Sequence, residues 1–170
     1  MKTKVNDKNN FFIPIETEKV AEFQLNLLNL DVEALGIPDT EYPTTIKMSS
    51  SEFVSLCKDF TQLSDSLKIQ VVDSKAIFSI NGKAGAGKLT LKGNNAEKIE
   101  DQVTIVCQEE VTCSYGLQYL NSFAKASSLS GLVSLNISPK YPLMIEYEMD
   151  NIGYIKFYLA PKMDEEGGDL

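Results

Sequence analysis

Histidine and tryptophan are both absent from this sequence. Without an imidazole there is no Ser-His-Asp or Cys-His catalysis, no His-ligated zinc and no imidazole pH switch, because each needs a side chain that titrates or coordinates near neutrality. Cysteine is scarce: Cys57, Cys107 and Cys113 are odd in number and form no CxxC pair. Reduced, mostly buried thiols are therefore expected in place of a disulfide framework or a metal site. No apolar run approaches the roughly 20 residues of a membrane-crossing helix. The start MKTKVNDKNN also lacks the apolar stretch of a signal peptide, so an intracellular chain with no membrane partner is expected. Positive charge is in deficit too, with 16 Lys+Arg against 24 Asp+Glu and a net charge of −8. That balance disfavours binding nucleic acid over the whole surface, and any contact with DNA has to be local.

What is present suits a globular fold: 43% hydrophobic and 24% charged residues over a length of 170. Residues 1–10 are Lys/Asn-rich without periodicity and read as a flexible leader. From Val20 the chain alternates as a half-buried strand does, with Ala21, Phe23, Leu25 and Leu27 on one side. Residues 29–42, NLDVEALGIPDTEY, combine Gly36, Pro38 and several acids with Leu30, Val32, Leu35 and Ile37, and read as an extended, apolar connector. After a strand at 45–48, Ser49-Ser50-Ser51-Glu52 provides a serine N-cap and an acidic first turn. The helix that follows places Phe53, Leu56, Cys57, Phe60 and Leu63 on one face and Ser51, Ser55, Lys58 and Gln62 on the other. Strands are expected at 67–73, 76–81, 88–92 and 103–109. Thr112 and Ser114 can cap a second helix, with Leu117, Leu120, Phe123 and Ala124 apolar and Gln118, Asn121, Ser122 and Lys125 polar. Strands at 132–138, 143–148 and 152–159 complete a mostly antiparallel sheet with two helices, an α+β domain.

No catalytic residue emerges. Residues 82–88, GKAGAGK, match the spacing of a phosphate-binding loop after an apolar strand. Position 89 is Leu where a hydroxyl must reach magnesium, and KLTLK alternates like a strand where a helix N-terminus is required, so a hairpin turn is expected. A nucleotide-binding enzyme built on this stretch is the remote alternative. Asn136-Ile137-Ser138 matches a glycosylation sequon inside an expected strand, and the paired acids fall in turns or in the tail. The two helices differ from the rest: in an acidic chain, their exposed stripes hold Lys58 and Lys125 and no carboxylate. Such a stripe can be an ordinary solvated face, or a local positive surface for a phosphate backbone, which needs no sequence-specific contact.

The stretches LNLLNLDVEALGIPDTEY (25–42), SSEFVSLCKDF (50–60), LQYLNSFAKAS (117–127), PLMIEYEM (142–149) and YIKFYLAPK (154–162) together closely resemble the eukaryotic sliding clamps, the proliferating cell nuclear antigen family. The resemblance runs from about residue 11 to 170. It covers the last strand of a first clamp domain, the interdomain connecting loop and the second domain, while the bulk of a first domain has no counterpart. The boundaries it implies are a leader at 1–10, a strand remnant at 11–28, the connecting loop at 29–42, a second clamp domain at 43–162 and an acidic tail at 163–170. A fragment, a mis-predicted gene and a natural half-clamp all fit that description.

The resemblance implies a non-enzymatic processivity factor: a ring around duplex DNA, formed in the family by three two-domain chains with helices lining the hole. The implied partners are duplex DNA without sequence preference, DNA polymerases and other proteins carrying clamp-interaction motifs, the clamp loader and further clamp subunits. The implied setting is the nucleus, in replication, mismatch repair and translesion synthesis; no cofactor or metal is implied. Lys58 and Lys125 would face DNA, while Ser55 and Gln118 stand where the family is usually basic. Leu35, Ile37, Pro142, Tyr158, Ala160 and Pro161 would form the apolar pocket that takes client peptides. Phe23, Gly87, Leu89 and Leu91 would lie at the subunit boundary, where strand 20–27 pairs edge to edge with strand 88–92 of a neighbour. Asp73, with Lys75 nearby, occupies the place of the family's modified lysine, so regulation by ubiquitin does not carry over. With little of a first domain, strand 20–27 is expected to lack a sheet of its own and the residues before about 30 to be mobile. An orphan module that binds client peptides without forming a ring is the second reading.

Overall fold

In the computed structural model the described residues are 4–7, 10–16, 20–26, 40–94, 96–98 and 101–162, the first three stretches as backbone. The chain falls into two units, residues 1–39 and 40–170.

In the first unit, β1 (Lys4–Asp7), β2 (Asn10–Glu16) and β3 (Val20–Asn26) form an antiparallel sheet in that order. β3 pairs with β2 over its whole length, from Asn10↔Asn26 to Glu16↔Val20. Two expectations are thereby corrected. The stretch read as a leader contains a strand, β1, and β3 does not stand alone. The run Phe11-Phe12-Ile13-Pro14-Ile15 is rich in aromatic and β-branched residues that favour extended chain. The four residues of β1, KVND, are too few and too polar to display a period of two.

The second unit holds two antiparallel sheets. One has the order β12-β11-β10-β4-β8, from β4 (Thr44–Ser49), β8 (Thr104–Cys107), β10 (Leu132–Ile137), β11 (Leu143–Met149) and β12 (Gly153–Leu159). The other has the order β7-β6-β5-β9, from β5 (Ser66–Val72), β6 (Lys75–Gly82), β7 (Gly85–Lys92) and β9 (Val111–Gly116). Alternation decides which side chains go inward: Leu67, Ile69 and Val71 of β5 and Ala76, Phe78 and Ile80 of β6 are buried, while Lys68 is exposed. With Ile46, Met48, Leu135, Ile145 and Tyr147 from the other sheet they make one continuous core. Burying such side chains is the main favourable term in folding, at about 1.5–3 kcal/mol each.

The helices α1 (Ser50–Thr61) and α2 (Leu117–Phe123) pack on each other, and α1 also packs on β4 and β10. Phe53, Leu56 and Cys57 of α1 and Leu117 and Leu120 of α2 enter the core. Ser49 is the N-cap of α1 but its side chain makes no capping bond; its hydroxyl lies 2.7 Å from that of Ser51. Instead, the Ser50 N–H donates to the Gly131 carbonyl at 3.0 Å, so a loop of the sheet satisfies part of the helix start. The second helix begins later than expected. Thr112 and Ser114 lie in β9, which pairs with β5 from Val71↔Val111 to Ser66↔Gly116, so the ladder outweighs their capping tendency. Gly116 is the N-cap of α2, and Lys125 belongs to the 3-10 segment Ala124–Leu129 that follows.

Two tight turns shape the four-stranded sheet. Asp73 and Ser74, with φ of 47° and 56°, form the two-residue link between β5 and β6. Between β6 and β7 the pair Gly82↔Gly85 closes another, and a Cβ on Gly82 would lie 2.1 Å from the Leu63 carbonyl oxygen. Glycine is required there because the strand end presses on the backbone that leaves α1.

Candidate docking pocket and DNA-facing helices

β12 is fixed from inside. Phe157 stacks on Phe123 of the α2 helix, with ring centroids 4.7 Å apart, and meets Tyr147 edge-on at 6.3 Å. Because strand residues alternate, Tyr158 then points to the opposite side, where it pairs with Met144 of β11. Near it the Tyr42 hydroxyl donates to the Pro142 carbonyl at 2.9 Å, and the Tyr42 and Tyr141 rings meet edge-on at 6.5 Å. Burial and the neighbouring Tyr158 phenol push the Tyr42 phenol above its ordinary range. Tyr158 is half-buried, and Pro142, Ala160 and Pro161 are exposed. Pro142 and Tyr158 thus join Tyr42 and Tyr141 at one aromatic surface, Ala160 and Pro161 follow in the exposed segment after β12, and Leu35 and Ile37 lie outside the described residues. Tyr42 and Tyr141 are additions that the sequence reading did not assign to it; each directly precedes a proline, which holds the preceding residue extended.

Beyond β12 the chain crosses to the other sheet. The Lys162 N–H donates to the Ser114 carbonyl of β9 at 2.7 Å, and its ammonium donates to the Ser66 hydroxyl of β5. The segment Ala160-Pro161-Lys162 is therefore anchored at its far end, with its middle open to solvent.

On the helix layer, Lys58 of α1 and Lys125 are both exposed. The α1 face is less purely basic than its stripe suggested, since Asp59 is exposed beside Lys58. From Leu117 to Leu129 there is no carboxylate at all. Ser55 and Ser122 spend their hydroxyls on carbonyls of their own helices, at 3.1 and 3.0 Å, and Gln118 is exposed. Tyr119, 51% exposed, stands among these residues and was not foreseen.

β7 is an edge strand of its sheet, and β3 is an edge of the sheet in the first unit. Leu91 is buried and Leu89 packs against the core, while Gly87 would meet Ile80 and Phe60 if it bore a Cβ. What β7 offers a neighbour is accordingly its backbone edge. Phe23 is described as β3 backbone, opposite Ile13.

Residues 82–88 close the β6–β7 hairpin, and Lys88 stands exposed within β7. This is the hairpin turn expected from the sequence, and no helix follows the glycines as a phosphate-binding loop requires. An open groove of about 700 Å³ runs between α1 and β7, lined by Ser51, Glu52, Ser55, Lys92, Asn94 and Asp101 among others. Among the described residues no cluster of acids and cysteines could hold a metal. Burial pushes the Cys57 thiol up to about 12, so it is a protonated core residue at neutral pH.

Two antiparallel sheets with a pair of packed helices, the helix layer carrying isolated lysines, define a DNA-clamp-type α+β domain. Residues 36–162 match the family model of the proliferating cell nuclear antigen C-terminal domain. The chain belongs to that family of sliding clamps, whose members are non-enzymatic scaffolds acting on DNA in replication.

Proposed function

We propose that this chain is a clamp subunit, or the client-binding and DNA-facing half of one, that keeps polymerases and repair proteins on duplex DNA in the nucleus. The observation that carries this reading is the family match over residues 36–162, which spans both helices and the aromatic surface at Tyr158. Lys58 and Lys125 would touch phosphates loosely, permitting sliding. Pro142, Tyr158, Ala160 and Pro161, with Leu35 and Ile37, would take the aromatic and aliphatic anchors of client peptides, including those of mismatch-repair and translesion proteins. A clamp loader would open the ring. In assembly, the β3 edge would pair with the β7 edge of the next subunit through free N–H and C=O groups.

Retention on circular DNA tests the reading. A ring containing this chain should be retained, and Lys58→Glu with Lys125→Glu should remove that retention while leaving client binding intact. Undiminished retention at low salt would take these lysines out of the mechanism. In calorimetry, Tyr158→Ala should weaken a clamp-interaction peptide by about 1 kcal/mol or more; equal binding would sink the pocket assignment. The second reading, a client-binding module without a ring, is supported by Tyr42, Tyr141, Pro142 and Tyr158 all lying within residues 40–170. Light scattering separates the two: a stable trimer or hexamer at low micromolar concentration supports the ring, a monomer that still binds peptide supports the module.

A further inference from the structure

The strand register brings together lysines that are far apart in sequence. On the outward face of the four-stranded sheet, Lys68 of β5 stands opposite Ser79 of β6, which stands opposite Lys88 of β7. One end of the same face holds Lys75 of β6 directly opposite Lys92 of β7. Between these rows lie Thr112, Gln70, Ile77 and Thr90, and Ser114 flanks Lys68. No strand position on this face is acidic, in a chain whose net charge is −8. Lys68, Lys88 and Lys92 are exposed and Lys75 is half-exposed. Among the described residues none of the four makes a salt bridge; the ion pair found is Lys156 with Glu146, on the other sheet. Asp73, in the β5–β6 turn, marks the margin of the face, and Glu52 and Asp101 lie with Lys92 along the neighbouring groove.

Placing two lysines directly opposite each other on a solvated face is unfavourable unless an anion lies between them. The chemistry of the rest of the face narrows the anion. Protein partners need buried aromatic or aliphatic anchors, and the outward side chains here are apolar only at Ala86, Ile77 and Val72. Single strands need aromatic rings on which bases stack, and this face has none. Lysines separated by hydroxyls and amides on a broad, wet surface match a duplex phosphate backbone, which is bound through charge without reading bases.

We propose that the outward face of the β7-β6-β5-β9 sheet is a second, non-specific site for duplex nucleic acid, separate from the helix layer and held by Lys68, Lys75, Lys88 and Lys92. Such a site would let the outside of the domain engage a DNA segment alongside any that a ring encloses. It does not depend on ring formation, so a short linear duplex tests it directly.

The experiment is fluorescence anisotropy with a labelled 20-base-pair duplex and the full chain. Four phosphate contacts should weaken binding roughly a hundredfold between 50 and 200 mM salt. Lys75→Ala with Lys92→Ala should lower the magnitude of the slope of log K against log salt by about 2, and Lys68→Glu with Lys88→Glu should abolish binding at 200 mM. Lys75→Ala with Lys92→Ala should lower the slope by the same amount in a Lys58→Glu, Lys125→Glu background as in the wild type, separating the site from the helix layer. All four sheet positions face solvent, and circular dichroism checks that each variant is folded. No binding by the wild type at 50 mM salt, or equal binding by folded sheet variants, would overturn the proposal. So would poly-glutamate binding to the face with no response to the duplex, which would assign it to an acidic polypeptide.

Discussion

The two sheets of the second unit are built from the same chemistry and used differently. In the five-stranded sheet, polar side chains have partners: the Thr45 hydroxyl donates to Asn136 Oδ1 at 2.8 Å, and Lys156 reaches Glu146 at 3.7 Å while lying over the Tyr154 ring. Its central strand β10 contributes Val133, Leu135 and Ile137 at 0% exposure. The four-stranded sheet instead ends in a glycine-bearing edge strand and turns unpaired lysines outward. Both sheets bury core side chains completely, Ile69 and Phe78 as much as Leu135, so the difference lies in the free edge and the outward face of the four-stranded sheet, which offer accessible backbone and charge.

The sharpest way to break this contrast is core truncation. Leu135→Ala, in the middle of β10, should cost about 4 kcal/mol, whereas Leu91→Ala on the edge strand β7 should cost about 2 kcal/mol. Urea unfolding of both variants reads the difference, and equal losses would show that the free edge strand is packed as firmly as the central strand. Next in size is the contact at the end of β6. Gly82→Ala drives a methyl group into the Leu63 carbonyl and should cost about 3 kcal/mol, while Gly131→Ala, which meets nothing within 4 Å, should stay within about 0.5 kcal/mol of the wild type.

A third effect comes from pH. The Cys57 thiol is raised by burial from its ordinary 9.0 to about 12, and burial also raises the phenols of Tyr115 and Tyr147. The folded state therefore holds these protons longer than the unfolded chain. Their contribution is complete below about pH 9 and is lost as pH rises toward 12, at up to about 1.4 kcal/mol per unit for the thiol. Urea midpoints at pH 7, 9 and 10.5 should be level and then fall, and Cys57→Ala should flatten the decline. The smallest effect belongs to the surface pair. Lys156→Ala removes a partly exposed ion pair and a ring contact and should cost about 0.5 kcal/mol, with little left in high salt.

The alternation of KIQVV and AIFSI and the apolar stripe of α1 made these elements legible, because period-2 and period-3.6 patterns follow directly from which faces are buried. β1 was not legible because a four-residue strand carries too little pattern. The start of α2 was misread because Thr112 and Ser114 suit a cap as well as an edge strand, and only pairing with β5 decides between them. At the pocket, Pro142, Tyr158, Ala160 and Pro161 were named from the motif, but Tyr42 joins them through a hydrogen bond spanning 100 positions. The lysine face was invisible for the same reason: Lys68, Lys75, Lys88 and Lys92 become neighbours only once two hairpins set their register.

Asn94 closes the neck of the loop that leads from β7 to β8. Its side-chain amide donates to the Asp101 carbonyl at 2.8 Å, its side-chain oxygen accepts the Val103 N–H at 2.9 Å, and its own N–H donates to the Val103 carbonyl at 2.9 Å. A neck sealed in this way uncouples the strands on either side from the length of chain beyond it. The domain therefore has a natural splice site. A peptide tag or small fluorescent label inserted between Glu97 and Lys98 should leave both sheets in place, since doubling a loop costs only about 0.6 kcal/mol. The same insertion in Asn94→Ala should be markedly less tolerated, and the difference gives an experimental handle for following the protein without touching the helices, the aromatic surface or either sheet edge.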